Sequence, residues 1–93
     1  PVIDARDVLT DPRRTLQLLC GAVGVEFDDR MLAWPTGLRD TDGVWAKYWY
    51  AEVARSTSFQ NRPAPTEPVP AHLQEVYDRC GECYRELHQY RLH

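Results

Sequence analysis

Residues 9–24 read LTDPRRTLQLLCGAVG, and this stretch carries the clearest helix signal in the chain. Asp11 is a good N-cap, and Pro12 suits the first helical position, where a missing N–H costs nothing. The apolar residues that follow recur at spacings of three and four, which places them on one helix face: Leu16, Leu19, Cys20 and Val23. Gly24 is expected to end the helix in the left-handed conformation. The stretch therefore predicts one amphipathic helix that starts at Pro12.

The segments on either side of this helix predict a mainly α fold that begins with a short strand. Residues 2–5 (VIDA) have the character of a strand, and residues 27–32 predict a short second helix capped by Asp28. Residues 44–55 predict a further helix, whose large side chains follow a helical stripe: Trp45, Tyr48, Trp49 and Val53. We interpret this stripe as core. The alternative is a stacking surface for an adenine or an aromatic acceptor, formed by Trp45, Tyr48, Trp49 and Tyr50.

The C-terminal third divides into a linker and one long helix. Residues 61–70 contain Pro63, Pro65, Pro68 and Pro70, a density of proline that excludes a helix or a central strand. Residues 71–93 predict a single helix about 35 Å long. The chain is therefore expected to be one structural unit with strand and helices in residues 1–60, a linker in 61–70 and a long helix in 71–93.

Charge and composition exclude several classes of protein. The chain has 93 residues, with 11 basic and 14 acidic side chains and a net charge of −3. No basic block stands out, which argues against a nucleic-acid or anionic-membrane surface. No apolar run approaches the roughly 18 residues of a membrane helix. Three cysteines are too few for a disulfide scaffold, so a reducing compartment, the cytoplasm, is expected.

The beginning of the chain has a further implication. It starts at Pro1 without an initiator Met, in what reads as the middle of a strand. We therefore expect a piece of a larger protein. An unpaired strand edge at residues 2–5 and uncovered helix faces would then favour self-association, through that edge or through the long C-terminal helix.

Two stretches of the chain resemble the sulfotransferase family. Residues 2–28 run VIDARDVLTDP, then Leu16, Leu19-Cys20, Val23-Gly24-Val25 and Phe27-Asp28, which is similar to a late strand and its following helix in that family. Residues 31–35 (MLAWP) and 42–50 (DGVWAKYWY) resemble a bacterial subgroup of sulfotransferase-like proteins. Some members of that subgroup carry names that link them to branched-chain aminotransferases. The resemblance covers residues 2 to about 59.

The resemblance implies a function for a larger parent protein. The fold would be the C-terminal portion of a P-loop α/β sulfotransferase. The parent would transfer a sulfuryl group from 3′-phosphoadenylyl sulfate to a hydroxyl or amine. The phosphate loop and the base that activates the acceptor would lie upstream of Pro1, because no Gly-rich phosphate loop is present in this chain. The chain alone would be inactive, with no catalytic residue and no cofactor of its own, and its partner would be the upstream P-loop domain.

The resemblance also implies one candidate nucleotide contact. Many family members close an R-K-G-x-x-G-x-W loop over the 3′-phosphate, and Arg39, Gly43 and Trp45 are similar to its outline. Asp40-Thr41 replaces Lys-Gly, and the spacing from the Arg to the second Gly is one residue short. An Asp beside a phosphate repels it. The alternative is a solvated Arg39 and a Gly43 that serves a turn.

Other patterns leave alternatives open. Cys80 and Cys83 form a C-x-x-C, but a zinc site needs four ligands. The side chains that could complete such a site have no metal-ligand spacing: Cys20, His72 and His88. We interpret the C-x-x-C as two small residues in an apolar seam and predict no metal site. The alternative function for the chain is a stand-alone helical interaction module that binds a partner through its last helix.

Overall fold

The chain folds into five α-helices in the computed structural model, which describes residues 1–61 and 63–93. The helices are α1 (Ala5–Thr10), α2 (Pro12–Val23), α3 (Ala46–Trp49), α4 (Ala51–Arg55) and α5 (Gln74–His88). Single 3-10 turns lie at Asp29–Leu32, Asp40–Asp42 and Ala71–Leu73. The mainly α prediction is confirmed for the described residues.

Within the described residues, every helix is too short or too polar to cross a membrane.

Helix α2 forms as its sequence predicts. The Asp11 carboxylate accepts a hydrogen bond of 3.0 Å from the N–H of Arg14, and Pro12 is the first helical residue. At the other end Gly24 has φ 73° and ψ 30°, and its N–H donates to the carbonyl of Cys20. A side chain with a Cβ is strained in this conformation, so glycine is the residue that ends the helix without cost.

The predicted N-terminal strand is wrong. Within the described residues, Val2 makes only an isolated parallel bridge with Arg91, and no strand is formed. Helix α1 begins at Ala5 instead, because the Asp4 carboxylate accepts a 2.7 Å hydrogen bond from the N–H of Arg6 and so caps the helix. In place of strand pairing, the Asp4 carbonyl accepts from the N–H of Val8 and the Val2 carbonyl accepts from the N–H of Leu92.

The middle of the chain holds shorter helices than predicted. The helix expected over residues 44–55 breaks into α3 and α4 at Tyr50, where φ is −99° and ψ is 18°. The helix expected over 27–32 is a 3-10 turn, and Asp28 caps it as predicted. Residues 33–37 return along 54–58, with a bridge between Ala33 and Ser58 and a 2.9 Å bond from the N–H of Trp34 to the carbonyl of Thr57.

The long helix expected over residues 71–93 ends early. It begins as a 3-10 turn, continues as α5 and stops at His88. The last residues leave the helix and contact the N-terminal segment, where the N–H of Leu92 donates to the carbonyl of Val2 at 2.9 Å. Tertiary hydrogen bonds to the N-terminal segment replace further helical turns here. Residues 63–70 contain neither helix nor strand.

Little apolar surface is buried within this chain. Among the described residues the buried apolar side chains are Cys20 and Ala46. The accessible surface is 8028 Å², whereas a compact monomer of this mass exposes about 5,500 Å². The radius of gyration is 16.4 Å, against about 12 Å for a compact chain of this length. The helices therefore present apolar faces that the described residues leave exposed.

Candidate functional site

A group of hydrogen-bonded polar side chains lies where the two chain ends meet. We call Asp4, Tyr84, His88 and Arg91 the terminal cluster. Asp4 is the N-cap of α1, and Tyr84 and His88 are one turn apart on α5. Residues four apart share a helix face, so both α5 side chains reach the same carboxylate.

The Asp4 carboxylate is buried and fully engaged. Its Oδ2 accepts a hydrogen bond from the Tyr84 hydroxyl and lies 3.0 Å from Nδ1 of His88. Its Oδ1 accepts from the N–H of Arg6 at 2.7 Å. The Asp4 side chain is 6% exposed. A buried carboxylate is tolerated when donors surround it, and three donors do so here.

These contacts decide which groups carry protons. The Tyr84 hydroxyl, then the Arg6 N–H, then His88 lower the pKa of Asp4, and they outweigh burial, which raises it. The same hydrogen bond, then burial and the negative charge of Asp4, raise the pKa of Tyr84. At neutral pH Asp4 is therefore a carboxylate and Tyr84 is a neutral hydroxyl that donates to it.

The imidazole of His88 is held in one orientation. Facing an ionised Asp4, Nδ1 carries the hydrogen, which leaves Nε2 as the second ring nitrogen with no protein partner in the described part of the chain. The Tyr84 ring lies 5.2 Å from the imidazole centroid at 33°. Arg91 donates from Nη1 to the His88 carbonyl at 3.2 Å and from Nε to Asp7 at 3.1 Å. The imidazole ring and the backbone carbonyl of His88 are therefore both held by neighbouring side chains.

A cavity of about 330 Å³ opens beside the terminal cluster. Its polar walls are Asp4, His88, Arg6 and Arg91, and its apolar walls include Val2, Ile3 and Leu87. His88 is 37% exposed, so the ring is accessible while its carboxylate partner is not. This arrangement can hold a small polar molecule against an oriented imidazole.

Two residues of the predicted nucleotide site lie on one turn. Arg39 and Gly43 flank the 3-10 turn Asp40–Asp42. The N–H of Arg39 donates to the Asp42 carboxylate at 2.7 Å, so this backbone donor is not free for a phosphate. Gly43 has φ 76°, which agrees with the turn alternative. The guanidinium of Arg39 is then the group of this loop that could bind a phosphate, and the carboxylates of Asp40 and Asp42 lie on the same turn.

Trp45, the third residue of that prediction, packs against another aromatic side chain. Its ring stacks on Trp49 with centroids 5.3 Å apart at 13°. We call Trp45, Tyr48, Trp49 and Val53 the aromatic surface. Trp45 is 58% exposed and Trp49 is 72% exposed, so the interpretation of this stripe as core is wrong within the described chain.

The cysteines do not gather into a metal site. Cys80 and Cys83 are exposed, whereas Cys20 is buried and its Sγ lies 3.9 Å from Sδ of Met31. Residues 1–61 and 63–93 hold no group of three or more metal-ligating side chains. The C-x-x-C faces solvent and is not packed in the seam that the sequence predicted.

Sequence reasoning missed the terminal cluster because its members are far apart in sequence. Asp4 and His88 are separated by 84 residues. The one local signal was the pair Tyr84 and His88 at i and i+4, which marks a shared face but not its partner.

Comparison with known proteins connects most of the chain to one family. A family model described as a sulfotransferase domain matches residues 1–81. Two proteins of Arabidopsis thaliana are similar over 92 residues, 99% of this chain. Branched-chain-amino-acid aminotransferase-like protein 1 is 34% identical and protein 2 is 30% identical.

The match covers only a small part of those relatives. The chain spans 17% of the length of protein 1 and 16% of protein 2. No solved structure matches the chain. Both relatives come from a plant, and the expected bacterial origin stays a prediction.

Proposed function

This chain belongs to the sulfotransferase domain family, and on that premise we propose that it is a C-terminal helical portion of a sulfotransferase-like protein. The whole protein transfers a sulfuryl group from 3′-phosphoadenylyl sulfate to a hydroxyl or amine acceptor. The observation that carries this proposal is the family match over residues 1–81. Sulfuryl transfer is achieved largely by positioning the two reactants and stabilising the charge on the leaving phosphate.

The partner of this portion is the P-loop domain of the same protein. The chain exposes about 2,500 Å² more than a compact monomer of its mass, which lies within the range of obligate interfaces. The aromatic surface supplies a concentrated apolar part of this area, and its two stacked indoles are already ordered. Aromatic side chains are the ones enriched at the buried centres of interfaces.

The donor nucleotide is held mainly by that domain. Successive backbone N–H groups of a phosphate loop bind its phosphates there. From the present chain the guanidinium of Arg39 reaches the 3′-phosphate. Asp40 and Asp42 weaken this contact, so Arg39 adds to a site that is built elsewhere.

Calorimetry with 3′-phosphoadenosine 5′-phosphate tests this proposal. We expect the full-length gene product to bind it and the 93-residue chain alone to give no heat of binding. In the full-length product Arg39→Gln should weaken binding several-fold, because a cationic contact to phosphate is lost. The matched control is Arg14→Gln, an exposed arginine of α2, which should bind as the wild type does. If neither form binds, the family likeness is one of fold alone and the helical interaction module becomes the better account.

A further inference from the structure

The two cysteines of the C-x-x-C on α5 have different surroundings. Both are free thiols exposed to solvent. Cys80 lines a cavity of about 790 Å³, whereas Cys83 is not part of the wall that the described residues form. Exposed thiols attack disulfides at a rate that depends on the groups around them. The chain therefore offers one thiol inside a cavity and, on the same helix, a second thiol outside it.

Two cationic side chains face the cavity beside Cys80. They are Arg6 of α1 and Arg85 of α5. Nη1 of Arg85 lies 3.3 Å from the position that a Cβ on Gly81 would take, so the guanidinium lies against the helix next to Cys80. Within residues 1–61 and 63–93, neither Arg6 nor Arg85 forms an ion pair. Both guanidiniums are therefore available to a carboxylate of a ligand.

The remaining walls of this cavity are anionic and aromatic. Asp78 and Glu82 supply carboxylates, and Tyr77 and Tyr84 supply rings. A ligand with negative charge alone would be repelled by the two carboxylates, whereas an ammonium group would be bound by them. Cations and anions in one cavity of this size fit a small zwitterion. A short peptide with two carboxylates and one ammonium group has this pattern of charge.

We propose that Cys80 is a thiol–disulfide exchange site for a zwitterionic peptide disulfide of the glutathione type, whose carboxylates bind Arg6 and Arg85. Cys80 gives up its proton, and its thiolate attacks one sulfur of the ligand and forms a new S–S bond. The S–S bond of the ligand breaks, and the departing peptide thiolate keeps the electron pair and takes up a proton. Cys80 is thereby oxidised to a mixed disulfide, and half of the ligand is reduced to a free thiol. In a reducing compartment such a modification is transient.

The first measurement compares the two cysteines in the full-length gene product. Cys83→Ser leaves Cys80 as the reactive thiol of the pair, and Cys80→Ser leaves Cys83. Each variant is treated with glutathione disulfide, and mass spectrometry follows the mixed disulfide on the peptide that holds residues 80–85. We expect Cys80 to react about 10-fold faster than Cys83, because charge-assisted contacts hold the ligand before exchange. Equal rates overturn the inference.

The second measurement separates the cavity from the general charge of the helix. Arg85→Gln should slow the reaction of Cys80 several-fold and leave that of Cys83 unchanged. Arg79→Gln is the matched control, because it removes the same charge from an exposed position on α5 outside the cavity wall. We expect it to react as the wild type does. If both variants slow Cys80 equally, net charge and not the cavity sets the rate, and the inference fails.

A disulfide without carboxylates tests the role of the two arginines. Cystamine carries two ammonium groups and the same reactive bond, so we expect Cys80 and Cys83 to react with it at similar rates. A 10-fold preference for Cys80 with cystamine as well would contradict recognition of the carboxylates. None of these measurements depends on sulfuryl transfer, so their outcome is independent of the proposed function.

Discussion

The side chains of the terminal cluster are hydrogen-bonded and partly buried, whereas the rings of the aromatic surface stay exposed to solvent. In the terminal cluster, a buried carboxylate finds three donors from residues at both ends of the chain. In the aromatic surface, large rings contact each other locally and remain open to solvent. Hydrogen bonds are directional and can be completed by a few residues of the same chain. Apolar area on this scale is removed from water only by another extensive surface.

Loss of the carboxylate should have the largest effect on the chain itself. Asp4→Asn removes a charged acceptor that binds Tyr84, His88 and the N–H of Arg6. We expect the free energy of unfolding to fall by about 2 kcal/mol, since hydrogen bonds to a charged group are lost in a buried place. Urea denaturation followed by circular dichroism measures it.

A matched acidic residue makes this first test specific. Asp29 pairs with Arg13 at 2.6 Å, but both side chains are more than half exposed. Asp29→Asn should leave stability unchanged, as is usual for solvent-exposed pairs. Equal losses for the two variants would contradict the comparison between buried and exposed contacts.

Because of the terminal cluster, the free energy of unfolding should fall at both acid and alkaline pH. Folding lowers the pKa of Asp4 from its ordinary 3.8, so its contribution is complete above that pH and is lost as the pH falls through the lowered value. Folding raises the pKa of Tyr84 from its ordinary 10.0, so that contribution is complete below pH 10.0 and is lost as the pH rises further.

The variant Asp4→Asn checks both losses at once, because the hydrogen bond to the Asp4 carboxylate is the largest cause of the raised pKa of Tyr84. Unfolding by urea at a series of pH values should show a broad plateau for wild type and flatter acid and alkaline limbs for Asp4→Asn. If the stability of the two proteins falls equally steeply with pH, the terminal cluster is not the cause of the fall.

The aromatic surface should give the smallest effect on the chain's own stability. Trp49→Ser changes a ring that is 72% exposed, so we expect the free energy of unfolding of the 93-residue chain to change by no more than about 0.5 kcal/mol. Self-association, measured by sedimentation, should decrease. Trp34→Ser is the matched substitution, and it should destabilise the chain more. Trp34 donates to Ser56 at 3.1 Å and packs edge-on against Phe59. A large stability loss in Trp49→Ser would show that the chain itself covers the aromatic surface.

Local signals in the sequence were reliable where the structure is local. Asp11, Pro12 and Gly24 set both ends of α2, because capping depends on residues within one turn. The same kind of signal at Asp4 went unrecognised, since VIDA also has the character of a strand and the choice depended on whether a neighbouring strand existed. The helices over 44–55 and 71–93 were predicted in type but not in extent, since propensity alone does not report where tertiary contacts interrupt a helix.

The sequence by itself determined the helical class, the caps of α2 and the likeness to the sulfotransferase family, because each depends on residues close together in the chain. Only the tertiary structure decided that Asp4, Tyr84 and His88 form one group and that the rings of Trp45 and Trp49 stay exposed. Contacts across 84 residues depend on how the whole chain closes, and a single sequence holds no local pattern for them. The physical difference is between interactions completed within one turn of backbone and those that exist only after the chain ends meet.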